Sequence, residues 1–183
     1  MAIVAVLAGA MIPFITSARQ KARAAKFVQL ADTLTTACRL HESDTGRYAI
    51  ERSDAPPNVW PLRELSVARP IGIRFGWDGP YIVKELTNDD VYLTSAFGWS
   101  ALWVWNTMGP GDFDLDGDGA VDKNQWTSGN SIQAWWFSES EAKAINDVVD
   151  INIPGDWKVT GKVIYVPSGA GLGWVGVYML GGL

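Results

Sequence analysis

The chain begins with a long apolar stretch, and its first charged residue is Arg19. Four basic residues then follow closely: Arg19, Lys21, Arg23 and Lys26. As a helix, residues 1–18 would be roughly 27 Å long, just short of the apolar core of a bilayer, which is about 30 Å thick. A signal peptide carries its positive charge before the apolar run and not after it. This order of residues therefore disfavours a signal peptide and leaves a membrane anchor or a buried core helix.

The helical pattern continues beyond the basic residues. Apolar side chains recur there at steps of three and four, which places them on one face of a helix. They are Phe27, Leu30, Ala31, Leu34, Cys38 and His41. Gly46 is a stop signal, so one helix of about 40 residues is predicted. Gly9 and Pro13 weaken its first half because proline has no N–H, and a kink or a melted turn is expected between them.

Shorter patterns beyond the helix predict a sheet with one further helix. Alternation over residues 90–107 predicts a strand with two apolar faces. Ser138 followed by Glu141 is typical of a capping box and predicts a short helix over residues 138–149.

Two more strand patterns follow near the end of the chain. Residues 157–166 predict a hairpin that turns at Thr160-Gly161, and residues 172–180 predict a last apolar strand. The predicted fold is α+β, with a long N-terminal helix over residues 1–47 packed on a mainly antiparallel β-sheet head over residues 48–183.

Composition and charge narrow the class of protein. The chain has 183 residues, of which 48% are apolar and 19% charged, so one packed domain with an appendage is predicted. The net charge of -5 argues against nucleic acid as a partner. Residues 1–47 hold six basic and three acidic residues, giving +3, and the rest holds nine basic and 17 acidic residues, giving −8. A basic helix thus precedes an acidic head.

Candidate catalytic chemistry is sparse in this sequence. The single cysteine, Cys38, cannot form a disulfide within the chain, and the single histidine, His41, argues against a histidine-based triad. Nothing pairs a nucleophile with a base, so a hydrolase that uses its acidic residues is disfavoured and a protein without enzymatic activity is predicted.

The clearest chemical signal is the acidic loop GDFDLDGDGAVDKNQ, residues 111–125. Its spacing resembles a calcium-binding loop, in which alternate carboxylates fold around a glycine turn. Positions 1, 3, 5, 7 and 9 of such a loop fall on Asp114, Asp116, Asp118, the Ala120 carbonyl and Asp122. Gln125 replaces the usual glutamate at position 12, and Asp112 allows a register that starts two residues earlier. A bound calcium ion with a structural role is predicted.

The order of these features resembles type IV pilins and, most closely, the major pseudopilins of type II secretion. The resemblance rests on the apolar start with Gly9 and Pro13, the basic patch, DTGRY at 44–48, FGWDGPYI at 75–82 and the acidic loop. Pro13 follows Gly9 by four residues, whereas the family commonly spaces the two by eight. In major pseudopilins, a calcium ion orders the C-terminal loop where many type IV pilins use a disulfide.

The resemblance implies a structural subunit that polymerises through its N-terminal helix into an extracellular or periplasm-spanning helical filament. The helix would lie in the inner membrane before assembly, and the partners would be copies of the chain, a prepilin peptidase and the assembly machinery. The residues that would serve membrane insertion and filament assembly are Met1, Ile3, Val4, Val6, Leu7, Gly9, Met11, Ile12, Pro13 and Phe14.

The ten tryptophans suggest a different function. Core packing and subunit interfaces explain most of them, since large aromatic side chains dominate both. Trp135, Trp136 and Phe137 are adjacent, and three neighbouring aromatics cannot all face one core. Trp135 and Trp136 are therefore candidates for a surface aromatic patch. The alternative hypothesis is a membrane-tethered, calcium-stabilised, Trp-rich binding module for glycans.

Overall fold

A computed structural model of the chain describes six segments. They are residues 2–49, 65, 76–82, 102–107, 111–124 and 127–181. For residues 2–13, 102, 103 and 105–107 the description covers the backbone only. The predictions for Met1, for the side chains of residues 3–13, for residues 90–101 and for Gln125 therefore lie outside the described residues.

The first element is a long helix, α1, which spans Ala2–Thr45 and confirms the predicted helix. It ends where Gly46 adopts a φ of 67° and donates its N–H to the carbonyl of Glu42 at 2.8 Å. This left-handed conformation suits glycine, which has no Cβ to clash with the backbone. The helix continues through Gly9 and Pro13, so of the predicted kink or melted turn the melted turn is wrong. Proline removes one hydrogen bond, and the bonds of the neighbouring turns keep the segment helical.

The head is built on an antiparallel sheet with a second helix. Its elements are β1 (Leu102–Thr107), β2 (Ser128–Ser138), α2 (Glu139–Val149), β3 (Val163–Pro167) and β4 (Leu172–Gly181). The strands lie in the order β1-β2-β4-β3, and every neighbouring pair is antiparallel. The α+β class, the antiparallel sheet, the short helix and the last apolar strand are confirmed.

The second half of α1 packs on α2 and on the sheet. All six residues of the predicted apolar face are buried: Phe27, Leu30, Ala31, Leu34, Cys38 and His41. The ring of Phe27 lies 5.1 Å from that of Phe137 in β2, centre to centre. Burial begins at Ala24, and residues 14–22 are exposed apart from the half-buried Gln20. Among the described side chains, the face of α1 that packs on the head therefore begins at Ala24.

The predicted hairpin at Thr160-Gly161 is wrong. Strand β3 pairs with β4 instead, through a turn at residues 168–171. Residues 157–160, which were predicted to be the first strand of the hairpin, form a turn. The reason is that Thr160 forms a bridge with Asp114 of the acidic loop. The backbone just before β3 therefore pairs with the acidic loop and cannot form the other strand of a hairpin with β3.

The segment 76–82 is fastened to the end of α1. The Tyr81 hydroxyl donates a hydrogen bond of 2.8 Å to Oδ2 of Asp44, and the Tyr81 ring meets the edge of the buried His41 ring at 5.7 Å. Gly76 lies so close to the Asp44 carbonyl that a side chain there would overlap it. The stretches DTGRY and FGWDGPYI, which are separated in sequence, thus contact each other in the fold.

Candidate metal centre

The acidic loop folds as a tight hairpin whose base is anchored in the head. Phe113 donates its N–H to the Lys123 carbonyl at 2.7 Å, and Lys123 donates back to the Phe113 carbonyl at 3.0 Å. The Phe113 side chain is fully buried in a small apolar cluster with Ile164 and Trp174. This cluster fixes the position of the aspartates that follow Phe113.

Asp114 organises the loop from within. Its Oδ1 accepts a hydrogen bond from the Gly117 N–H at 2.8 Å, and its Oδ2 accepts one from the Gly119 N–H at 3.0 Å. Both glycines have positive φ, of 79° and 90°, which turns their N–H groups toward the carboxylate. The Asp114 carbonyl accepts the Gly161 N–H at 2.6 Å, so the same residue joins the loop to the segment before β3.

Three carboxylates meet inside this loop. Asp114, Asp116 and Asp122 each offer an oxygen, and these oxygens lie within 4.8 Å of one another. Asp116 also accepts the Asp118 N–H at 3.1 Å, and Asp122 accepts the Leu115 N–H at 2.7 Å. Three negative groups this close repel one another unless a cation lies between them. The group could hold a metal ion.

The other residues predicted for the site lie outside this group. Asp118 and Ala120 are both exposed. The Oδ1 of Asp118 accepts the N–H of Ala120 at 2.7 Å. Asp112 is exposed at the start of the loop. The structure thus brings together positions 1, 3 and 9 of the predicted loop and leaves the side chain at position 5 outside the group.

The sequence did not reveal the segment that supports this loop. Residues 154–161 lie against it, and a Cβ on Gly117 would collide with the carbonyl of Pro154. Gly155 and Gly161 have φ of 104° and 88°, and a Cβ on them would collide with Thr160 and Asp150, so these glycines shape the segment itself. The sequence showed the glycines of the loop, but it did not show that Gly117 contacts Pro154, which is distant in sequence.

The aromatic pair of β2 does not form a flat surface. Trp136 is an extra residue in a bulge between the pairs Trp135↔Trp174 and Phe137↔Gly173, and its φ is 68°. Trp136 is 51% exposed, Trp135 is half-buried and Phe137 is fully buried. The two indole rings are 6.5 Å apart and inclined by 54°. A sugar could stack on Trp136 but not on both rings in one plane.

Two residues in the first half of α1 present apolar side chains to solvent. Phe14 is 77% exposed and Ile15 is 51% exposed. The other residues predicted for assembly precede Phe14, so their side chains lie outside the described residues. Among the residues that the structure describes, no helix has the length and apolar character needed to cross a membrane.

Comparison with known proteins adds nothing to this picture. No protein-family model, no curated protein and no solved structure matches the chain.

Proposed function

We propose that this chain is a structural subunit of the pilin or pseudopilin type, which polymerises through α1 into an extracellular or periplasm-spanning helical filament. One observation supports this proposal above all. One face of helix α1 is buried by its own head from Ala24 onward, whereas Phe14 and Ile15 are exposed. The inner membrane would hold the apolar half of the helix before a prepilin peptidase and the assembly machinery act on it.

The driving force would be burial of the apolar helix surface. Removing apolar area from water contributes about 25 cal/mol per Å², so a helix face of about 1,000 Å² contributes tens of kcal/mol before entropy costs. Residues 1–18 carry no charge, so little opposes their burial by neighbouring copies. Lipid or sister helices would provide that cover, and the heads would remain outside.

The carboxylate group would hold a structural calcium ion. Calcium prefers carboxylate and carbonyl oxygens, and Asp114, Asp116 and Asp122 offer three such oxygens within 4.8 Å of one another. Asp118 and the Ala120 carbonyl, the other predicted ligands, lie in the same loop. Because Asp114 also accepts the Gly161 N–H, an ion here would tie the loop to the segment before β3. This role is structural, and no catalytic role is proposed.

The test of the filament is direct. The full-length chain, purified in detergent, should form filaments visible by electron microscopy when the detergent is removed. Phe14→Asp with Ile15→Asp should abolish the filaments, because two charges would enter the buried interface. Leu40→Asp, which changes an exposed apolar residue of the same helix on the head side, is the matched control and should assemble. Wild-type chain that stays monomeric in detergent and forms no filaments in cells would refute the proposal.

The glycan-binding alternative retains one supporting observation, which is the exposed Trp136. Binding of the full-length chain to a glycan array, lost in Trp136→Ala, would favour this alternative. An array without signal would leave Trp136 without a role in glycan capture.

A further inference from the structure

A groove of about 440 Å³ lies between the acidic loop, which forms one side of it, and residues 155–166. We call it the valine groove; its lining includes Val121, Val159 and Val166, with Ile164 buried among them and Asp112 and Asp156 exposed beside them. The three valines are 55%, 52% and 39% exposed. Single exposed apolar residues are ordinary on a protein surface, but several in one concave site mark a place where something binds.

The valine groove is acidic around its apolar lining. The aspartates in its lining are Asp112, Asp114 and Asp156, and the adjoining loop of residues 111–122 holds five aspartates and no lysine or arginine, a charge of −5. A divalent cation in the carboxylate group would still leave this loop with a charge of −3. Lys158 also lines the groove, but its ammonium is paired with Glu139 at 2.8 Å. An occupant should therefore be apolar at one end and basic at the other.

Residues 14–22 of α1 have this character. The segment reads FITSARQKA, with two basic residues and no acidic one, and it is exposed apart from the half-buried Gln20. On a helix, Ile15 and Arg19 are neighbours on one face, and Phe14 and Lys21 lie two turns apart on nearly the same face. Each apolar side chain thus has a basic residue farther along the helix axis, and Ile15 and Arg19 are separated by about 6 Å along that axis.

We infer that the valine groove of one subunit binds residues 14–22 of α1 from a second copy of the chain. Phe14 and Ile15 cover the valines, and Arg19 and Lys21 face Asp112 and Asp156. This inference rests on the proposed filament and names one contact within it, between the head of one subunit and the helix of another. The +3 charge of residues 1–47 and the −8 charge of the rest of the chain favour the same pairing.

A charge swap in the full-length chain tests the contact. Arg19→Glu with Lys21→Glu should raise the concentration needed for assembly about tenfold or more, and Asp112→Lys with Asp156→Lys should do the same, because like charges then meet. The two pairs combined should restore assembly to within about threefold of wild type, since opposite charges face each other again. Asp147→Lys, on the exposed side of α2, is the control and should assemble normally. Thermal melting checks that each variant is folded.

Cross-linking gives a second and independent measurement. Ile15→Cys combined with Val159→Cys should yield disulfide-linked ladders of the full-length chain on mild oxidation, and neither single variant should. The native Cys38 is fully buried, so it should not compete. Normal assembly by the two charge-reversed pairs, failure of their combination to restore assembly, or a cross-link confined to monomers would overturn the inference. If wild-type chain forms no filaments at all, the proposed function fails instead.

Discussion

Arg23 connects α1 to the head next to the exposed residues 14–22. Its guanidinium lies 3.1 Å from Oε1 of Glu141 and 4.6 Å from the centre of the Phe137 ring. Glu141 has a second task, because its Oε2 accepts the Ser138 N–H at 2.8 Å in the capping box of α2. One glutamate therefore holds both the start of α2 and the basic part of α1.

These two tasks can be separated by substitution. Glu141→Gln can keep the capping box, since glutamine also serves at that position, but it removes the charge facing Arg23. We expect it to cost about 1 kcal/mol of stability, and Glu141→Ala about 2 kcal/mol, because the alanine also removes the cap. Urea unfolding of both variants at neutral pH measures the difference. In a double-mutant cycle, Arg23→Ala should cost less in the Glu141→Gln background than in the wild-type chain, although it still removes the contact with Phe137 in both. Full additivity of the two substitutions would contradict the pairing of Arg23 with Glu141.

The carboxylate group predicts a response to calcium. Adding calcium to about 100 times its Kd should stabilise the folded chain by about 2.7 kcal/mol, which corresponds to a rise in Tm of about 5–10 °C. Asp116→Ala with Asp122→Ala should remove that rise, because two of the three converging carboxylates are lost. Differential scanning calorimetry of the full-length chain in detergent, with calcium and with a chelator, provides the measurement.

The control for calcium is within the same loop. Asp118 lies outside the carboxylate group and accepts only a local hydrogen bond from Ala120 among the contacts described. Asp118→Ala should therefore keep most of the calcium-induced rise. A Tm that does not change with calcium in the wild-type chain would defeat the proposed ion. If Asp118→Ala loses as much of the calcium-induced rise in Tm as Asp116→Ala with Asp122→Ala does, Asp118 is also a calcium ligand.

The helical parts of this fold are the parts that local sequence specifies. The 3.6-residue period from Phe27 to His41 identified the buried face of α1 because each residue's burial depends on its position around the helix. Gly46 and the pair Ser138 and Glu141 marked helix ends because capping contacts span only a few residues. These signals are contained within single turns of helix.

Long-range contacts decided what the sequence could not predict. Thr160 pairs with Asp114, 46 residues earlier in the sequence, and this pairing removed the predicted hairpin. The metal site shows the same limit, since spacing suggested five ligands in series but the carboxylates that come together are those of Asp114, Asp116 and Asp122, without Asp118. The support that Gly161 gives to Asp114 depends on a contact that no local pattern encodes.

The same segment depends on Asp150, a buried carboxylate. Its Oδ1 accepts the Lys162 N–H and its Oδ2 accepts the Val163 N–H, both at 2.8 Å. Asp150→Ala leaves these two donors unpaired at the start of β3, so we expect a loss of about 2–5 kcal/mol. Asp147→Ala, one turn earlier on α2 and exposed, is the matched control and should cost less than about 1 kcal/mol. Equal stability of the two variants in urea would show that Asp150 has no such role.

Asp150 should also contribute to the pH dependence of stability. Burial raises the pKa of its carboxyl above the ordinary value of 3.8, although the N–H groups of Lys162 and Val163 oppose this shift. Between 3.8 and the raised native pKa, the folded chain holds a proton that the unfolded chain has lost. The contribution of this group to stability therefore falls as pH rises through that window. The free energy of unfolding of wild type, minus that of Asp150→Asn, should increase as the pH is lowered through the window; a flat difference would contradict the shift.

Trp136 offers a test of backbone strain in β2. A bulky residue with a φ of 68° is costly, by about 1–3 kcal/mol, because its Cβ crowds the backbone. Trp136→Gly removes that strain while Trp136→Ala keeps it, so we expect the glycine variant to be the more stable by about 1 kcal/mol. At Trp135, whose φ is not positive, the same two substitutions should show the opposite order, with alanine more stable by about 0.5–1 kcal/mol. Urea unfolding of the four variants provides the comparison, and alanine more stable than glycine at both positions would show that the bulge stores no strain.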